Sequence, residues 1–223
     1  MDWKVVMKDI KNGLKQFWHF LWKEDSIWSW MLNILIAFIL IKFLIYPGIG
    51  LVLGTNLPVV AVISESMSHD GNFNTWWTSP ATCDNTINGT IIQYVCTQEK
   101  WYAAKGITKD EFIHYTMHNG FNKGDIIVLR GVSFDNLKLG DILVYQSKLS
   151  YPVIHRVVQK DDLIQTKGDH NYEQIVDPRL NEKYVTKDQI IGKAWLRIPY
   201  LGYVKIIFAE AIQCVSFNGC TFG

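Results

Sequence analysis

The sequence predicts a mainly β fold: an antiparallel β domain on an N-terminal transmembrane helix, with a partly helical insert. Three observations carry this. A single apolar run, Ile27 to Leu53, is long enough to cross a bilayer. Short β-branched runs broken by turn residues fill the chain from about residue 122 onward. Between them, residues 72–121 lose this alternation and become polar and aromatic-rich.

A chain of 223 residues has room for one anchor and one core-bearing domain. Its net charge of +1 offers no electrostatic case for a nucleic-acid partner. Residues 1–25 read as a basic amphipathic segment. Val6, Ile10, Leu14, Phe17 and Leu21 recur every three or four positions, with Lys4, Lys8, Lys11 and Lys15 largely off that stripe.

Residues 26–54 read as a retained anchor, because the apolar run is longer than a signal-peptide h-region and follows a polar stretch. Its strongly polar side chains are Ser29, Asn33 and Lys42, and Lys42 lies toward the outer end, where its stem can snorkel. Five lysines precede the span, and no Lys or Arg occurs between Lys42 and Lys100. The positive-inside rule therefore expects a single-pass protein of the cell membrane with a cytoplasmic N-terminus and an extracytoplasmic domain.

Cys83, Cys96, Cys214 and Cys220 all follow the anchor, where disulfides can form. Pairing Cys83 with Cys96 and Cys214 with Cys220 is one of three connectivities. Closing the first loop would stabilise by about 3 kcal/mol on a chain-entropy model. Asn88-Gly89-Thr90 is a glycosylation sequon on the same side. Neither cysteine pair has zinc-ligand spacing, and His114 and His118 lack the Glu that would follow the first His in a zincin, so no metal is expected.

Residues 55–204 are expected to form the extracytoplasmic β domain. Leu57–Ile63 reads as a strand ending at a serine motif. Thr108-x-x-Glu111 and Asn119-Gly120 bracket a helix over 109–118. Gly124-Asp125 and Gly140-Asp141 each open a strand, and 151–159 with 163–167 form a hairpin. A further strand covers 189–197. The 205–223 tail is apolar but too polar for a second span, and is expected to pack on the domain or lie at the membrane interface.

Within this frame, Ser66, His155 and Asp169 appear in chain order in short polar motifs. A serine hydroxyl becomes a nucleophile when a base takes its proton, and an imidazole is a base near neutral pH. A carboxylate fixes the imidazole tautomer and stabilises the imidazolium. The Ser66 backbone N–H and the Ser64 hydroxyl are candidate oxyanion donors.

Together, Ser64-Glu65-Ser66-Met67, Gly140-Asp141-Ile142-Leu143-Val144-Tyr145, His155-Arg156-Val157-Val158 and Gly168-Asp169-His170-Asn171 resemble the boxes of type I signal peptidases. The His at the base position is similar to the archaeal and endoplasmic-reticulum branch, and the Ile191–Gly202 ending also looks archaeal. The resemblance covers the anchor, 57–69 and about 124–204. It implies Ser66 as nucleophile, His155 as general base and Asp169 as supporting acid. Asp177 matches a second aspartate, and which of the two supports His155 is left open. No cofactor is implied. The implied partners are secretory preproteins with small residues before the cleavage site, the lipid bilayer and the protein translocation machinery. Two alternatives stand beside this: a processing peptidase of the same fold acting on a few surface precursors, and a non-catalytic membrane-anchored β module that binds partners.

Overall fold

The structure is a computed structural model, described for residues 3–87 and 89–203. It divides into two compact units, Met1–Val52 and Leu53–Gly223. Asn88, Cys214, Cys220 and the 205–223 tail lie outside the described residues, so the sequon and the second cysteine pair have no structural counterpart here.

In the first unit, α1 spans Trp3–Lys23. A second helix begins at Ile27, where the Ser26 side chain accepts from the Ser29 N–H. It runs as α2 (Ile27–Leu40), a π-helical turn (Ile41–Ile45) and α3 (Tyr46–Leu53). Together these 27 residues are long and apolar enough to cross a membrane. Two polar side chains within them are occupied at one end. Ser29 Oγ donates to Phe20 O at 2.7 Å and Asn33 Nδ2 donates to Leu21 O at 2.8 Å. These two carbonyls sit in the last turn of α1, where helix geometry leaves C=O groups unpaired.

The second unit is mainly β. Strand β1 covers Val59–Ala61, shorter than the expected 57–63. The ladder persists beyond it as Val62 N–H to Asp125 O and Leu129 N–H to Pro58 O. The insert follows, with α4 (Phe73–Trp77), the hairpin β2 (Pro80–Ile87) and β3 (Thr90–Thr97), α5 (Gln98–Ala103) and α6 (Lys109–Phe112). Cys83 and Cys96 form a disulfide across the hairpin. The Thr108–Glu111 capping box is present, but α6 ends at Phe112, short of the expected 118. Past it the His114 and Tyr115 N–H groups bond three residues back, to Glu111 and Phe112, and Met117 takes a φ of +52°, which ends the helical ladder. The Thr116 and Met117 carbonyls accept from the Arg156 guanidinium.

The remaining strands are β4 (Ile126–Arg130), β5 (Ile142–Tyr145), β6 (Val153–Lys160), β7 (Ile164–Lys167), β8 (Val176–Asp177), β9 (Leu180–Asn181) and β10 (Ile190–Ile198). Five of them join β1 in an antiparallel sheet in the order β1-β4-β10-β5-β6-β7. The expected hairpin around Lys160-Asp161-Asp162 is the β6–β7 pair.

The two Gly-Asp turns share one construction. Gly124 and Gly140 have φ of +89° and +81°, a region closed to most side chains. Asp125 and Asp141 then accept from backbone N–H groups three residues earlier, Asn122 and Lys138. Each aspartate also meets a cation on β10. Asp125 Oδ2 lies 2.7 Å from Arg197 Nε, an ion pair without good hydrogen-bond alignment, and Asp141 accepts from Lys193 at 3.0 Å.

Alternation on β5 and β6 divides the core. Ile142, Val144 and Ile154 pack on one side with Val62, Met67 and Leu129. Leu143, Tyr145, Val153 and Val157 pack on the other with Leu180 and Val185. A third, aromatic core belongs to the insert, holding Trp76, Trp77, Tyr102 and Phe112, and touches the sheet at Val158.

Candidate active site

His155 and Arg156 sit side by side in β6, paired with Leu143 and Ile142 of β5. Successive side chains on a strand point to opposite faces. His155 therefore faces the Leu143 side, toward β9, and Arg156 faces the Ile142 side, toward the insert.

On the His155 face, His155 Nε2 lies 3.0 Å from Ser66 Oγ. Its other nitrogen, Nδ1, hydrogen-bonds Glu182 Oε1. The tautomer follows from the partners: Nδ1–H donates to the carboxylate, which leaves the Nε2 lone pair facing the serine hydroxyl. His155 is 4% exposed and Glu182 fully buried, so water competes little for this contact. Glu182 is itself fixed. Its Oε2 accepts from the Ile175 N–H at 2.5 Å, its N–H donates to Ile175 O, and its carbonyl accepts from the Thr166 N–H.

Ser66 leaves β1 through an exposed turn in which Ser64 Oγ stands 3.2 Å from Ser66 Oγ. A cleft of about 200 Å³ opens beside it, walled by Val60–Ser64, Pro152–His155, Ile175 and Leu180. Ser64 and Ser66 both line this cleft.

Asp169 is placed elsewhere than the sequence suggested. Its carboxylate is committed to Arg156, accepting from Nε at 2.9 Å and Nη2 at 2.6 Å. It also accepts from His69 Nε2 at 3.1 Å and from the Tyr102 hydroxyl at 3.1 Å. Arg156 and Asp169 are both fully buried. Burial alone would raise the Asp169 carboxyl. The Arg156 guanidinium and the His69 bond outweigh it and hold the group well below the usual carboxylate range. The pleat is the reason Asp169 does not reach His155: it sits on the Arg156 face. Asp177 is exposed at the β8–β9 turn, where it accepts from the Arg179 N–H and pairs with that side chain at 3.6 Å. Neither aspartate contacts His155; the carboxylate that does is Glu182, five residues past Asp177.

Sequence reasoning missed Glu182 because it looked for an aspartate in a polar box. Glu182 follows a two-residue strand in a stretch without a box motif, and locally nothing separates it from Glu173. The insert's contribution was equally hidden. Trp76 Nε1 donates to Asp169 O at 3.0 Å, and the Trp76 ring stacks on His69 with centroids 3.7 Å apart. Lys167, fully buried, donates to Gln98 Oε1 and Gly168 O beneath the faces of Trp101 and Tyr102. Burial pushes the Lys167 amine down to about 7, against the pull of Asp169 and Glu182.

No protein-family model matches the chain. Among curated proteins it is similar to the signal peptidase complex catalytic subunit sec11 of Neurospora crassa, 32% identical over 104 residues, or 43% of this chain and 60% of that protein. The sec11 subunit of Sclerotinia sclerotiorum gives 32% over 105 residues, with the same two shares of 43% and 60%. The SEC11 subunit of Eremothecium gossypii gives 35% over 104 residues, covering 43% of this chain and 62% of that protein. The chain thus spans about 60% of the length of the curated relatives it matches. All three bear the name of a signal peptidase catalytic subunit, in line with the resemblance carried by the four motifs.

Proposed function

We propose that the protein is a membrane-anchored serine endopeptidase that removes N-terminal signal peptides from secretory preproteins. The observation that carries this reading is the Ser66–His155–Glu182 line, with one imidazole nitrogen on the hydroxyl and the other on a buried carboxylate. In the reaction, Ser66 Oγ attacks the scissile carbonyl carbon and its proton passes to His155 Nε2. The Glu182 carboxylate stabilises the imidazolium. The Ser66 N–H and the Ser64 hydroxyl would donate to the developing oxyanion. Return of the proton to the leaving amine releases the downstream chain and leaves an acyl-enzyme. Water, deprotonated by His155, then hydrolyses it.

The apolar cleft beside Ser66 suits small side chains, as expected of residues before a signal-peptide cleavage site. The lysine asymmetry supports a cytoplasmic N-terminus and an extracytoplasmic domain at the cell membrane, and the Cys83–Cys96 disulfide suits an oxidising compartment. Substrate and enzyme anchored in one bilayer meet in two dimensions, which raises effective concentration. Contact with the bilayer through the apolar 57–63 run, and with the translocation machinery that delivers preproteins, belongs to the same reading.

The test is preprotein cleavage in detergent by wild type, Ser66→Ala and His155→Ala. Wild type is expected to cleave and both variants to lose at least about 10³-fold in kcat. An interaction-only module predicts no difference between wild type and Ser66→Ala, and that result would overturn the peptidase reading.

A further inference from the structure

We propose that the 72–121 insert is a positioning element of the active site, with Trp76 and Tyr102 holding the Ser66 turn in place through Asp169. This rests on the hydrolase reading above and deepens it.

Ser66 stands in a turn outside the regular strands, so its position depends on what that turn touches. One anchor is the 168–170 segment. The His170 N–H donates to Ser66 O at 2.9 Å. Gly168 passes so close that a Cβ there would come within 2.8 Å of Ser66 O. A second anchor is His69, three residues past the serine, which donates to the Asp169 carboxylate.

Both anchors are gripped from the insert. Trp76 of α4 donates to the Asp169 carbonyl and stacks on His69, so one side chain fixes both. Tyr102 of α5 donates to Asp169 Oδ1. Burial and the neighbouring carboxylate hold the Tyr102 phenol well above its ordinary value, so it remains a donor. The insert also supplies acceptors for the other half of the ion pair, since the Thr116 and Met117 carbonyls bind Arg156, the residue next to His155. Asp169 thereby joins the nucleophile turn, the base strand and the insert in one buried junction. A hydroxyl held 3.0 Å from its base tolerates little displacement, because a shift of about 1 Å can cost roughly 10²-fold in rate.

Trp77 provides a matched control. It is adjacent to Trp76, equally buried and in the same aromatic cluster, but its indole N–H has no partner among the described residues and it makes no bond to Asp169. The experiment uses the full chain in detergent and compares Trp76→Phe, Tyr102→Phe and Trp77→Phe with wild type. It measures kcat and KM separately, melting temperature, and the rate of Ser66 labelling by a fluorophosphonate. For Trp76→Phe, kcat and labelling are expected to fall together by roughly 10- to 100-fold with KM within about twofold. Tyr102→Phe should show the same pattern to a smaller degree. Trp77→Phe should lower the melting temperature but leave kcat and labelling near wild type. Equal kcat losses in Trp76→Phe and Trp77→Phe, or wild-type kcat and labelling in Trp76→Phe, would overturn the proposal. If Trp76→Phe does not fold, Tyr102→Phe, which removes a single oxygen, decides alone. A wild type that neither cleaves nor labels at Ser66 would fell the hydrolase reading and this inference together. Failure of the positioning role alone leaves wild-type activity intact.

Discussion

His155 and Arg156 are neighbours in the chain, and each meets its own buried carboxylate on opposite faces of β6. On one face, Glu182 takes an imidazole N–H and leaves the second nitrogen free for a reacting hydroxyl. On the other, Asp169 neutralises a guanidinium whose remaining donors are spent on backbone carbonyls of the insert and the Gly140 turn. Both acids are fully buried, so burial does not tell them apart. Their partners do. A histidine can pass a proton on, whereas an arginine stays charged and can only hold position. The proposed chemistry uses the first face, and the second holds the fold around it.

Glu182→Gln should have the largest effect on this contrast. The amide can present N–H groups to Nδ1 and favour the wrong tautomer, so kcat is expected to fall by about 10³–10⁴ with little change in melting temperature. Asp177→Asn, made alongside, should leave kcat within about twofold, because its side chain is exposed and bonded only within its own turn. A reversal of these two results would return the orienting role to Asp177.

Asp169→Asn should act first on stability. Breaking a buried ion pair leaves Arg156 uncompensated and costs about 3–5 kcal/mol, readable as a lower urea midpoint. If Asp169→Asn instead kept its midpoint and lost activity as fully as Glu182→Gln, the division between the two faces would collapse.

Titration sharpens the same contrast more gently. Asp169 is held below its unfolded value, so its stabilising contribution is complete above about pH 4 and is lost as pH falls further, toward the folded value. Asp169→Asn should flatten acid unfolding over that range. Lys167 runs the other way. Its folded value is pushed down to about 7 from 10.5, so below pH 7 both states carry the proton and the burial cost is constant. Between those values the unfolded chain keeps the proton that the folded chain releases, and stability rises with pH. The urea midpoint of wild type should climb over that window, and that of Lys167→Met should not.

Much of this architecture was legible in the sequence. The apolar span declared itself by length and composition, and the two Gly-Asp turns by residue types that few other conformations use. Ser66 and His155 stood out because each lies in a short polar box, one just past an apolar strand and one within it. The helix expected over 109–118 ends after four residues, because the His114 and Tyr115 N–H groups bond only three residues back and Met117 turns to a φ of +52°. The expected roles of Asp169 and Asp177 also depended on partners that no local pattern encodes.

The sequence alone determined an apolar span, the order and alternation of the strands, and a serine and histidine of the right chemistry, because each depends on residues within a few positions of one another. Only the tertiary structure decided which acid faces the imidazole and that the insert grips the nucleophile turn. Those outcomes depend on which side of β6 a side chain leaves and on what distant segment is folded against that side, and contacts across tens of residues leave no periodic trace in the chain.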